Sequence, residues 1–124
     1  MNKNTASIRE LKEGEVTFFL TIESEEVPVD GHFDSDEPEK DRKFEREIKQ
    51  RLARHDYWAW CTVKITACWE DISESDCLGC CSYESEDDFK KDNYYEDMKA
   101  TALSGLNKKI QERFHQIREL VEVE

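Results

Sequence analysis

Between Tyr57 and Trp69 the chain reads YWAWCTVKITACW, thirteen residues that hold all three tryptophans and a single charge, Lys64. Aromatic and β-branched side chains at this density favour a strand, because they pack well on a pleated surface and lose rotamer freedom in a helix. The alternation separates two faces. Cys61, Val63, Ile65, Ala67 and Trp69 share one, and Trp58, Trp60, Thr62, Lys64, Thr66 and Cys68 share the other. Helices packed on only one face would leave Trp58 and Trp60 as an exposed apolar patch, the mark of an interface.

A second strand is expected from Val16. Val16, Phe18, Leu20 and Ile22 alternate with Thr17, Phe19, Thr21 and Glu23, the period of a sheet with one buried face. Its continuation toward Val27 and Val29 would place Pro28 at a sheet edge, since proline donates no hydrogen bond. The turn-rich DGHFDSDE stretch follows. Asp36 is then a helix-cap candidate ahead of Pro38 and Glu39, with Phe44, Ile48 and Leu52 spaced by four, and this predicts a helix from about Pro38 to about Arg54. After the central strand, EDISESD reads as an acidic loop and Cys77 to Tyr83 as the returning strand of a hairpin. Ser85 is a cap candidate for a short turn around Phe89. Met98, Ala102, Leu106, Ile110, Phe114, Ile117 and Val121 then recur every three or four residues. They predict one long amphipathic helix from near Asn93 or Tyr94 to near Leu120, containing Gly105.

The order strand, helix, strand, strand, helix predicts an α+β fold, a small two-layer sandwich whose three-stranded sheet carries a long C-terminal helix. Residues 1–14 are expected to be a weakly structured segment and residues 15–124 a single domain. With 39% charged and 37% hydrophobic residues the chain borders on disordered composition. Thirteen aromatics against two prolines place it among folded proteins.

Charge is the most informative functional feature. The net value of −12 opposes binding to a phosphate backbone. It is also segregated: residues 13–39 hold ten acidic side chains and residues 65–89 hold eight, and neither stretch contains a Lys or Arg. Three clusters stand out: Asp30, Asp34, Asp36 and Glu37; Glu70, Asp71, Glu74 and Asp76; and Glu86, Asp87 and Asp88. A parallel strand-helix-strand crossover would bring the first two loops to one sheet edge as one negative surface, whereas antiparallel strands would divide them. Spaced carboxylates of this kind can occupy a basic groove that normally holds nucleic acid, with salt-dependent affinity. The expected partner is therefore a basic nucleic-acid-binding host protein or complex, contacted through these carboxylates and through Trp58 and Trp60, with no direct nucleic-acid or membrane contact. A homodimer through the tryptophan face or the long helix is compatible with the pattern.

Catalysis and metal binding have weaker signals. Gly14, Gly31, Gly79 and Gly105 are the only glycines, so no phosphate-binding loop or dinucleotide fingerprint is present, and neither GxSxG nor HExxH occurs. The chain is expected not to be an enzyme and to need no cofactor. Asp30 to Glu37 lacks the glycine and flanking helices of a calcium loop. Cys77-Leu78-Gly79-Cys80-Cys81 contains one CxxC, without the second pair that makes a strong zinc signature. A metal or regulatory site using Cys77, Cys80 and Cys68, completed by Cys61 or His55, is the alternative reading. Five cysteines and no apolar leader point to thiols and a cytoplasmic setting.

The segments YWAWCTVKITACW and CSYESEDDFKKDNYYEDMKATALSGLN, within Tyr57 to Asn107, resemble short bacterial proteins carried on phages, plasmids and other mobile elements. The resemblance covers the C-terminal half of the chain. It implies a setting in which small acidic proteins act as anti-CRISPR or anti-restriction inhibitors, binding a host nuclease or its DNA-recognising surface. It assigns no residue a role.

Overall fold

The computed structural model describes residues 8–122. Strand β1 (Thr17–Ser24) is followed by helix α1 (Pro38–Ala53), strands β2 (Cys61–Trp69) and β3 (Ile72–Cys81), a short helix α2 (Glu86–Lys90) and the 30-residue helix α3 (Asn93–Glu122). The three strands form one antiparallel sheet in the order β1-β2-β3. The α+β class and the long C-terminal helix are thus as the periodicities predict. Contacts group the described chain into two compact units. One comprises residues 8–19, 65–76 and 97–122, the other residues 20–64 and 77–96, and each strand and α3 contributes to both.

In the first unit Ala67, Ile72, Ala102 and Leu106 form the core, with Val16, Phe18 and Ile110 packed against it. Gly105 sits where the side chain of Glu74 crosses α3: a Cβ there would lie 2.8 Å from Glu74 Cγ. The close approach accounts for a glycine whose helix propensity costs about 1 kcal/mol relative to Ala. Residues 1–7 lie outside the described residues, but Ile8 to Glu15 is held in place. Asn107, 7% exposed, accepts from Leu11 N–H at 2.8 Å and donates to Leu11 C=O at 3.0 Å. Gln111 donates to Ile8 C=O at 2.6 Å. Two helix amides supply the partners that this extended backbone otherwise lacks. Glu15 accepts two bonds from Arg9, at 2.6 and 2.8 Å, which with the Lys12 amide lower its carboxyl to about 2.

In the second unit Val29, Ile48, Ala59 and Trp60 are the core, supported by Phe33, Leu52 and Cys80. Helix α1 ends one residue earlier than predicted, and for a clear reason. His55 adopts φ 66, its N–H bonds Leu52 C=O and the Asp56 N–H bonds Arg51 C=O, both at 2.9 Å. This is the Schellman arrangement, with histidine in the left-handed position that glycine usually takes. At the other end the expected Asp36 cap is absent. Glu37 is the N-cap and makes no side-chain cap bond, while Ser35 Oγ accepts from the Glu37 amide.

Both ends of the hairpin differ from the sequence reading. Tyr57–Ala59 is a 3-10 turn, so β2 begins at Cys61. Glu70 and Asp71 alone make the turn, with Glu70 at φ 51. Residues 72–76, expected as loop, are strand, because turn residues shorten to two once Ile72 is buried. Ile72 and Cys81 are both buried although an odd number of steps separates them. Cys80 at φ 56 inserts the extra residue of a β-bulge and returns Cys81 to the inner face. β1 ends at Ser24, so Val27 and Val29 are not its continuation.

Candidate interaction surface

The 30–37 loop is fixed from its apolar side. Val29 is buried, and Phe33 meets Phe44 edge-on with ring centroids 4.9 Å apart and Trp60 at 5.8 Å. His32 also stacks edge-on against Trp60 at 4.9 Å. Gly31 takes φ 80, where glycine alone pays no steric cost, and its N–H bonds Glu45 Oε1 at 3.3 Å. Ser35 donates its N–H and hydroxyl to Asp41, each at 2.8 Å. The apolar residues alternate with acids, so anchoring Val29 and Phe33 inward turns Asp30, Asp34, Asp36 and Glu37 outward, and all four are exposed. Asp30 pairs with Lys49 and Glu37 with Lys40. Asp34 and Asp36 carry no ion pair among the described residues.

The third cluster belongs to the same unit. Ser85 Oγ accepts from the Asp88 N–H at 3.2 Å, so the predicted cap is present. Asp88 returns a bond to the Glu84 N–H, Glu86 pairs with Lys90 at 3.0 Å, and Asp87 remains exposed. Below it Phe89, fully buried, packs against Trp58, Tyr83 and Tyr95.

The second cluster lies in the other unit, and its residues are not one loop. Glu70 and Asp71 are exposed in the hairpin turn, with Asp71 3.9 Å from Arg113. Glu74 and Asp76 are half-buried residues of β3, and Glu74 is spent on packing against Gly105. A merged surface of the 30–37 and 70–76 loops required a parallel crossover, and the sheet is antiparallel. That basis for a single acidic face is gone.

The tryptophans are a second correction. Trp60 is 5% exposed, and its indole N–H donates to Val27 C=O at 2.7 Å. Trp58, in the 3-10 turn, is half-buried on Phe89. The open face expected from alternation does not exist at these positions, because the strand starts only at Cys61.

Two arrangements were missed by the sequence reading. Glu25 accepts from Cys80 N–H at 2.5 Å and Thr62 Oγ at 2.9 Å on one oxygen, and from Val27 N–H at 3.0 Å on the other. These bonds, led by the Cys80 amide, hold its carboxyl below the usual range. The second is Arg51, which bonds Asp56 at 2.7 Å and Tyr83 C=O at 2.6 Å. No local pattern marks either, since Cys80 and Thr62 lie 55 and 37 residues from Glu25, and Tyr83 lies 32 residues from Arg51.

Cys61 and Cys81 are buried, and desolvation pushes their thiols up to about 12 and about 11. Burial also raises Cys80, so all three favour the neutral thiol. Among the described residues no group of three or more His, Cys, Asp or Glu is placed to hold a metal ion. Burial and the Asp92 carboxylate, which accepts from its hydroxyl at 2.7 Å, raise Tyr83 well above an ordinary phenol. Among the described residues no helix is long and apolar enough to cross a membrane. No family model, curated protein or solved structure matches this chain.

Proposed function

We propose that this chain is a non-catalytic binding protein that occupies a basic, nucleic-acid-binding surface of a host defence complex, in the manner of an anti-CRISPR or anti-restriction inhibitor. The observation that supports this reading is the 30–37 loop. Its backbone is pinned by Phe33, Gly31 and Ser35, and its exposed carboxylates include Asp34 and Asp36, which have no internal counter-ion among the described residues. Acids held on a fixed scaffold lose little entropy on meeting Lys and Arg, and they speed association by electrostatic attraction. The second unit holds 18 acidic and 10 basic residues, so the reading needs that unit alone.

The test is inhibition of DNA cleavage by purified CRISPR nucleases and restriction enzymes, repeated at rising salt. Replacing Asp30, Asp34, Asp36 and Glu37 by their amides removes four rim contacts of about 0.2 to 1 kcal/mol each, so inhibition should weaken about fourfold or more. Inhibition unchanged by the four substitutions would refute the mechanism.

A further inference from the structure

β1 has a strand on one side only, so alternate N–H and C=O groups from Leu20 to Ser24 point away from β2. Beside this edge lies an open cleft of ≈ 460 Å³ whose apolar walls are Ile22, Leu52, Tyr57 and Trp60. Leu52 and Trp60 belong to the core of the second unit, whereas Tyr57 is 56% exposed. The strand's end supplies the opposite character: three of the four residues from Glu23 to Glu26 are glutamates. Glu25 is committed to Cys80 and Thr62. Glu23 lies 3.7 Å from Lys64 with its side chain 56% exposed, and Glu26 is exposed with no ion pair among the described residues.

We propose that this cleft and strand edge form a docking groove for an extended, basic segment of a partner protein. The segment adds as a strand beside Leu20 to Ser24, places one bulky apolar side chain against Tyr57 and Leu52, and sets flanking Lys or Arg residues on Glu23 and Glu26. Strand addition uses the free backbone groups for affinity and the cleft for selectivity. Charge decides the occupant. A second copy of this edge would bring six glutamates together, and a neutral small molecule would leave both the edge and the carboxylates without partners.

The proposal rests on reading the chain as a binder of basic partners, but its test needs no partner. The probe is the peptide Arg-Thr-Val-Phe-Val-Thr-Arg, titrated into the isotope-labelled full chain, with the same peptide carrying Glu at both ends as comparison. The expected result is movement of the Leu20 to Glu25 amides and the Trp60 indole signal with the basic peptide only. Affinity should fall at least about threefold between 50 and 300 mM salt. Tyr57→Ala should weaken it about fivefold or more, and Glu23→Gln/Glu26→Gln should remove most of the salt dependence. Absence of binding, signals moving elsewhere, equal binding of the acidic peptide, or an unaffected Tyr57→Ala variant would each overturn the groove. The amide variant of the 30–37 loop should bind the peptide normally, so failure of the groove and failure of the loop mechanism are read separately.

Discussion

Glu25→Ala should reverse the sign of the effect of Gly79→Ala. A Cβ at position 79 would lie 2.9 Å from Glu25 Oε1, while its next neighbours, Glu25 Cδ and Thr62 Oγ1, are at an ordinary 3.9 Å. The carboxylate is the single obstacle, and it is not a loose side-chain end, because the same oxygen accepts from Cys80 N–H and Thr62 Oγ. Charge-assisted bonds of this kind contribute about 1.5 to 3 kcal/mol each. Partial displacement of both should cost about 1.5 to 3 kcal/mol, against which the stiffer unfolded chain of alanine returns about 0.5 to 1 kcal/mol. Gly79→Ala alone should therefore destabilise by about 1 to 2 kcal/mol. In the Glu25→Ala background the obstacle is gone, and the same change should stabilise by about 0.5 to 1 kcal/mol. The coupling of about 2 kcal/mol is measurable by urea unfolding followed through tryptophan fluorescence, in which Trp60 is a buried reporter. Equal destabilisation by Gly79→Ala in both backgrounds would refute the clamp.

Glu15, Glu25 and Asp56 have carboxyls held below their unfolded values by Arg9, by the Cys80 amide and by Arg51 respectively. Such groups contribute stability that is present above the unfolded value, near 4.5 for the two glutamates and 3.8 for Asp56, and is lost as pH falls through the folded one, so the melting temperature should drop between about pH 4.5 and pH 2, and Glu15→Gln should shallow that drop. Asn107→Ala leaves the Leu11 N–H and C=O without their partners. It should cost about 1 to 3 kcal/mol and expose Arg9 and Lys12 to trypsin before the rest of the chain; unchanged cleavage at those residues would count against the tether.

The elements legible in the sequence are those whose signal is periodic over many residues. β1 keeps its period of two, β2 alternates buried and half-buried residues, and the stripe from Met98 to Val121 gives α3 almost to the residue. What was illegible depends on partners distant along the chain. The Asn107 amides answer Leu11 across the fold, and Glu25 answers a bulge at Cys80 that only the mismatch of Ile72 and Cys81 requires. Trp60 shows how a real period can mislead. Its position continues the outer face of β2 on paper, but the 3-10 turn at Tyr57–Ala59 breaks the strand before it, and the indole turns into the core on Val29 and Ile48. The acid clusters were visible as composition; which acids are free was not.

That last distinction gives the binding hypothesis its sharpest form. In the second unit Glu25, Asp41, Glu45, Asp56 and Asp92 each accept a bond that orders a backbone, a cation or a phenol. Their removal should lower stability. Asp34 and Asp36 are exposed and make no hydrogen bond or ion pair among the described residues, and in a molecule of net charge −12 neutralising them relieves repulsion, so stability should stay level or rise slightly. Acids retained for folding and acids retained for a partner thus respond in opposite directions to the same Asp→Asn change. If Asp34 and Asp36 also weakened the fold when neutralised, their exposure would be a by-product of the loop's own construction, and the surface would have no claim on a partner.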